Sequence, residues 1–260
     1  MSLQGKVAVL TGACGGIGRA IARKLVDEGA KVLATDLSED GLAELRGELG
    51  AAVATLAVDV TDYSQVESMM DKAVSEFGQL DIVLNNAGIG FAKLLMEHDP
   101  VADFDGVTAV NQKGVYHGIL AGGKKLAALG RRGVIVNTSS VYGTMASELS
   151  FTYNVSKAAV DMMTKCAALE FAPYGIRVCA VAPGRINTPI LDNYKPLGLF
   201  DHIRREQMRE EIIEPEEVAN VVAFLASDAA NCINGTTVEA ADGFCGFKYP
   251  LLQRFDSRGE

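Results

Sequence analysis

Residues 153–157 read YNVSK, which sets a tyrosine and a lysine four positions apart ahead of an Ala- and Met-rich segment. On a helix, positions i and i+4 share a face, so the Tyr153 phenol and the Lys157 ammonium would stand side by side. Such a pair is either a surface contact or a proton-transfer device. A second stretch, TGACGGIG at 11–18, places Gly12, Gly16 and Gly18 in a G-x-x-x-G-x-G turn with Ile17 inside it. A tight turn after a strand needs glycine for its backbone angles. It also lets the backbone approach a pyrophosphate, whose charge is favoured at the N-terminus of the next helix. The spacing departs from the general dinucleotide fingerprint G-x-G-x-x-G. Asp36 follows at the end of the next apolar run. A carboxylate there can accept hydrogen bonds from both ribose hydroxyls of NAD and would repel a 2′-phosphate. No Lys or Arg directly follows it, so the expected cofactor is NAD, with NADP the lesser choice. The competing role for Asp36 is capping the next helix, which Ser38 could do instead.

These residues need elements to hold them. Apolar runs near 6–12, 31–36, 52–60, 80–86, 133–140, 176–184 and 236–243 read as strands, separated by helix-like stretches at 17–29, 39–49, 63–77, 102–129, 153–172 and 215–227. The strand runs are rich in Val, Ile, Leu and Ala and do not alternate with polar residues, which marks strands covered on both faces. Repeated strand–helix units predict an α/β, Rossmann-like, doubly wound domain with a mostly seven-stranded parallel sheet and helices on both faces. No linker or internal repeat divides the 260 residues, so one domain spanning 1–260 is expected. Residues 185–214, with Pro189, Pro196 and the charged run DHIRREQMREE, read as a loop and short helix covering a site. Residues 244–260 read as a tail that docks on a partner.

Charge and composition exclude several classes. The net charge is −9, which repels phosphate backbones and argues against nucleic acid. No apolar run reaches the ~18 residues of a membrane span, and the N-terminus lacks a signal-peptide pattern. The five cysteines form no CxxC pair, and the three histidines form no cluster, so no metal site is expected and the thiols read as reduced, in a cytoplasmic protein. His98, His117 and His202 read as surface or packed residues. Cys14, inside the glycine turn, raises the idea of a thiol activated by a helix N-terminus, whose oxidation would block NAD.

The ordered set of motifs resembles the short-chain dehydrogenase/reductase family over nearly the whole chain, from residue 5 to about 243. It comprises TGACGGIG at 11–18, DV at 59–60, NNAG at 85–88, Asn111 in VNQKG, SS at 139–140, YNVSK at 153–157 and PGRINT at 183–188. The resemblance implies that Tyr153 is the general acid/base of a hydride-transfer reaction. A free phenol ionises near pH ~10, and a nearby cation lowers that value. Lys157 supplies the cation and, by resemblance, binds the nicotinamide ribose. Ser140, thirteen residues before Tyr153, would hydrogen-bond the substrate oxygen. Ser139 is the weaker candidate, since adjacent strand residues face opposite ways. Asn111 would help seat a water that relays protons to Lys157. The resemblance also puts Asp59 and Val60 at the adenine and Asn86, Ala87 and Gly88 along the adenosine ribose. Pro183, Gly184, Ile186 and Thr188 would meet the nicotinamide.

The substrate would be chosen by 90–98, 141–151 and 190–211, which offer Phe91, Leu94, Met145, Leu149, Leu191, Tyr194, Leu197, Leu199 and Phe200. This suits a small-molecule substrate that is a largely apolar secondary alcohol or ketone, hydroxysteroid-like or aryl/alkyl. Lys93, Arg185 and Lys195 could each reach in. A 3-oxoacyl-thioester reductase using NADPH is the alternative, and Asp36 counts against it. From another class comes a catalytically silent NAD(H)-binding sensor, against which stand Ser140, Tyr153 and Lys157. Nucleotide-sugar epimerisation fits less well. The resemblance implies a homo-oligomer, tetramer or dimer, with the helices near 102–129 and 153–172 packed across an interface.

Overall fold

The computed structural model describes residues 2–192, 196 and 198–246. The seven apolar runs form β1 (Val7–Thr11), β2 (Lys31–Asp36), β3 (Val53–Ala57), β4 (Ile82–Asn85), β5 (Val134–Thr138), β6 (Arg177–Pro183) and β7 (Thr237–Ala240). They make one sheet in the order β3-β2-β1-β4-β5-β6-β7, and every pairing is parallel. The main helices are α1 (Gly16–Asp27), α2 (Glu39–Leu49), α3 (Tyr63–Phe77), α4 (Gly106–Thr108), α5 (Val115–Ala128), α6 (Phe151–Phe171), α7 (Pro189–Asp192), α8 (Phe200–Arg205) and α9 (Pro215–Ala226).

The apolar runs explain the layers. Successive strand side chains point to opposite faces, so a strand apolar at every position needs cover on both. Ala8 and Leu10 of β1, Ile82 and Leu84 of β4, and Cys179 and Val181 of β6 pack with Ile21, Leu25, Leu45 and Val222 from α1, α2 and α9. Their neighbours Val9, Val83 and Val178 face Val66, Met70, Ile119 and Val160 from α3, α5 and α6. The chain runs outward from β1 through β2 to β3, returns, and runs outward again from β4. Strand order therefore reverses between β1 and β4, and in such sheets a crevice opens beyond the carboxyl ends of the strands at that point.

Two elements differ from expectation. The stretch 102–129 is not one α-helix: π-helical turns at Pro100–Asp105 and Ala109–Gly114 interrupt it, with α4 between them and α5 after. Apolar periodicity does not separate a wide turn from an ordinary one, and such turns recur at functional positions. The run at 52–60 is strand only as far as Ala57, because Asp59 turns the chain by accepting from Thr61 N at 2.9 Å and from Thr61 Oγ1 at 2.8 Å. The excursion at 185–214 holds α7 and α8 and returns to the sheet side by a bridge between Ile186 and Ile213. Tyr194, Lys195, Leu197 and 247–260, most of the expected tail, lie outside the described residues.

Candidate active site

At the reversal point, a cleft of about 560 Å³ is lined by residues from the ends of β1, β2, β4, β5 and β6 and from α6. Gly12, Gly16, Ile17, Gly18, Asp36, Asn86, Ala87, Gly88, Ser140, Tyr153, Lys157, Pro183, Gly184, Ile186 and Thr188, fifteen of the residues singled out by sequence, line it together. Asp59, Val60 and Asn111 do not.

The floor of the cleft is the glycine turn. Gly12 has φ +65°, and a Cβ there would lie 2.7 Å from Ala87 Cα; a Cβ on Gly18 would lie 2.0 Å from Gly12 O. Neither position has room for a side chain. Asn86 clamps this turn: its Nδ2 donates to Thr11 O at 3.2 Å and to Gly12 O at 3.1 Å, and its Oδ1 accepts from Thr138 Oγ1 at 3.2 Å. Thr11 Oγ1 in turn accepts from the backbone N–H groups of Asn86 and Ala87. The Asn86 side chain thus fixes the turn. No side chain caps α1, and its first turn carries no acid. Its leading N–H groups point toward the cleft end of the fold, a setting that suits an anion.

Asp36 closes one end. Its Oδ2 accepts from Cys14 N at 3.0 Å and its Oδ1 from Ser38 N at 3.2 Å. Ser38, not Asp36, caps α2, accepting from Gly41 N at 3.1 Å. Cys14 is not activated. Burial pushes its thiol up to about 11, with the Asp36 charge adding to the rise, and Arg19 opposes this only in part. The idea of a helix-activated thiolate is therefore corrected.

At the other end lie the phenol and the ammonium. Both sit on α6, whose i, i+4 geometry brings Lys157 Nζ to 5.5 Å from the centre of the Tyr153 ring. Lys157 is only 3 % exposed and donates to Thr138 O at 2.7 Å. Burial lowers its ammonium to about 8, against the pull of Asp161, which raises it. A Cβ on Gly90 would lie 3.1 Å from Tyr153 Cδ2, so a glycine flanks the phenol ring. Ser140 accepts from Tyr142 N at 3.2 Å, which leaves its own proton for another acceptor. Ser139 donates to Lys157 O at 3.2 Å and so helps hold α6.

Asn111 is fully buried in the π-helical turn Ala109–Gly114. Its Oδ1 accepts from Ile89 N and its Nδ2 donates to Ile89 O, both at 2.9 Å, with a further bond to Ser156 Oγ at 3.1 Å. The side chain therefore braces the loop after β4. A Cβ on Gly88 would lie 3.4 Å from Asn111 Oδ1 and 3.5 Å from Lys157 Nζ, so amide and ammonium meet across this glycine. Val60 packs on Gly114 of the same turn, and its carbonyl meets His117 Nδ1 at 2.9 Å.

The loop after β6 supplies the far wall. A Cβ on Gly184 would lie 2.7 Å from Gln207 Oε1 and 2.9 Å from Ala241 Cα. Arg185, nearly buried, donates from Nε to Glu206 Oε2 at 2.7 Å and stacks 5.0 Å from the Tyr142 ring centre. Phe91, Tyr142 and Leu191 add apolar lining. Leu94, Met145 and Phe200 are exposed instead, and Lys93 pairs with Asp103 rather than entering the cleft. Arg185, which the sequence offered as able to reach in, does line the cleft, whereas Thr138 and Tyr142 carry no site role on the sequence, and only the position of Thr138, directly before Ser139, marks it. His98 packs between Phe91 and Phe151. Among the described residues, no His/Cys/Asp/Glu group is placed to hold a metal, and no helix is long and apolar enough to cross a membrane.

Comparison with known proteins places this site in a family. The sequence profile described as "Enoyl-(Acyl carrier protein) reductase" matches residues 12–245. The chain belongs to the short-chain dehydrogenase/reductase family of oxidoreductases, which work with a nicotinamide cofactor. It is 36% identical to 3beta-hydroxysteroid dehydrogenase 2 of Eggerthella lenta, over 94% of this chain and 96% of that enzyme. It is 37% identical to the 3-oxoacyl-[acyl-carrier-protein] reductase of Thermotoga maritima, over 92% and 97%. Among solved structures, a 3-ketoacyl-(acyl-carrier-protein) reductase from Brucella melitensis complexed with NADH superposes with a TM-score of 0.86 at 33% identity, covering 94% of this chain and 99% of that one.

Proposed function

We propose that this protein is an NAD-dependent oxidoreductase acting on a largely apolar secondary alcohol or the corresponding ketone. The observation that carries the reading is a single cleft with the Asp36 carboxylate at one end and Ser140, Tyr153 and Lys157 at the other. The residues fit a dinucleotide: two glycines leave no room for a side chain at the floor, an uncapped helix N-terminus faces a pyrophosphate position, and a carboxylate stands where the adenosine ribose would lie. When bound, the nicotinamide supplies or accepts the hydride.

The chain's own residues handle the proton. Ser140 donates to the substrate oxygen and holds it beside Tyr153. Tyr153 takes the alcohol proton in oxidation and returns it in reduction. The Lys157 ammonium favours the phenolate, since an adjacent cation stabilises the charged form. Thr188 and Ile186 wall the nicotinamide position, and a Cβ on Gly16 would lie 3.0 Å from Thr188 Cγ2, so this wall approaches the phosphate turn. Asn111 acts through the loop after β4, which it braces beside Lys157.

Phe91, Tyr142 and Leu191 favour an apolar substrate, in keeping with the hydroxysteroid dehydrogenase among the relatives. A second reading is reduction of a 3-oxoacyl thioester, favoured by the acyl-carrier-protein reductases among the relatives. The NADH in one of those structures weakens the expectation that such work requires NADPH.

The test is turnover of NAD and NADP with steroid, aryl, cyclic and 3-hydroxyacyl-thioester alcohols, with Tyr153→Phe as control. NAD-linked oxidation of an apolar ring alcohol, abolished in the variant while NADH still binds, is the expected result. Turnover only with NADP, or an active Tyr153→Phe protein, would overturn it.

A further inference from the structure

α6 carries a third ionisable group in the same row as the phenol and the ammonium: Tyr153, Lys157 and Asp161 stand at i, i+4 and i+8. Asp161 is 7 % exposed. Its Oδ1 accepts from Thr237 Oγ1 at 2.8 Å, and its Oδ2 is buried without a hydrogen-bond partner. The 3₁₀ turn Val141–Gly143 closes over this spot: a Cβ on Gly143 would lie 2.5 Å from Asp161 Oδ2 and 3.0 Å from Lys157 O. A carboxylate in such a place is costly to keep charged unless an opposite charge lies near.

Lys157 has the complementary problem. Its ammonium is buried, and the partner at 2.7 Å is a neutral carbonyl, Thr138 O. Among the described residues, the charged and titratable groups around it are few. Its own helix gives Tyr153 and Asp161. The turn over α6 gives Tyr142. The loop after β6 gives Arg185, bound to Glu206. From the β7 side, Glu239 is exposed and Asp242 binds Arg209. Lys113 of the π-helical turn is exposed. The described residues of β4 and β5 contribute only neutral side chains.

The geometry points to Asp161 as a positioning residue that keeps Lys157 in its cationic form through the interior of the protein, without touching substrate or cofactor. This rests on the reading of Tyr153 and Lys157 as the proton-transfer pair. The alternative is that Asp161 only ties α6 to β7 through Thr237. The two roles separate because one depends on charge and the other on a hydrogen bond. Asp161→Asn removes the charge and keeps an acceptor for Thr237. Thr237→Val keeps the charge and removes the bond.

The experiment follows the Lys157 ammonium directly, by NMR of the whole protein labelled with ¹³Cε-lysine, titrated without cofactor or substrate. The Lys157 signal is the one missing from Lys157→Arg. In Asp161→Asn its midpoint should fall by about one pH unit, since losing a nearby opposite charge disfavours the charged form. The alkaline limb of kcat/KM should move the same way. Thr237→Val should leave both in place. An unchanged midpoint in Asp161→Asn, or an equal shift in Thr237→Val, would overturn the proposal. If Asp161→Asn does not fold, the wild-type carboxyl ¹³C signal of Asp161 decides: an ionised group at pH 7 supports the role, and a protonated acid there sinks it. The lysine titration needs no turnover, so failure of the proposed reaction, seen as an active Tyr153→Phe, would show separately.

Discussion

The buried ammonium of Lys157 lies 2.7 Å from the carbonyl oxygen of Thr138, the last residue of β5. A sheet end thus holds the cation that faces the phenol one helical turn away. Because burial brings this ammonium down to about 8, it loses its proton within the working range. The deprotonated amine no longer favours the phenolate. The sign is therefore a fall in alcohol oxidation, measured as kcat/KM, as pH rises through about 8. A profile still climbing at pH 10 would contradict it.

Asp36 should set cofactor choice. Its two oxygens are already oriented by Cys14 N and Ser38 N. Hydrogen bonds from ribose hydroxyls to a charged acceptor contribute about 1.5–3 kcal/mol, or roughly 10–150-fold. Asp36→Ala should raise the KM for NAD by that factor and permit NADP. Equal NAD kinetics in the variant would show that the carboxylate does not meet the ribose.

Two glycines should respond oppositely to alanine. At Gly18 the new methyl would fall 2.0 Å from Gly12 O, whereas at Gly47, inside α2, it would meet nothing within 4 Å. Gly18→Ala should cost about 1–3 kcal/mol or more and weaken NADH binding. Gly47→Ala should stabilise by about 0.5–1 kcal/mol through helix propensity. Denaturant midpoints of the two variants check the pair.

Cys14 should be inert. With its thiol pushed up to about 11, little thiolate exists near neutrality, and the thiolate is the reactive form. Iodoacetamide at pH 7.5 should label the exposed Cys166 and Cys232 first and leave NADH binding intact. Rapid labelling of Cys14 by mass spectrometry would refute this.

How much of this was legible beforehand depends on range. The strands and their parallel arrangement were readable because a run such as VAVLT sets apolar residues at consecutive positions, and only a two-faced layer satisfies it. The glycine turn and the Tyr153–Lys157 pair stood out by local spacing and Ser140 by family resemblance, and all of them line the one cleft. Asp161 was not. On the sequence it is an acid on a helix, ordinarily a solvated position, and it becomes buried only because Thr237, 76 residues away, and the turn at Gly143 close over it. The pairing of Lys93 with Asp103, and the engagement of the Asn86 and Asn111 side chains with backbone, likewise depend on where distant chain segments land.

The π-helical turn Ala109–Gly114 also acts as a counting device. A wide turn holds one residue more than an α-helical turn, and each residue of an α-helix advances the direction of its side chain by about 100°. The chain arriving at α5 is therefore out of phase with the chain leaving α4 by one such step, and that offset aims Asn111 inward at Ile89 while α5 keeps its apolar face on the sheet. Shortening this stretch by a single residue would change no residue's chemistry. It would restore an even helical phase, and either the brace beside Lys157 or the seating of α5 would have to yield.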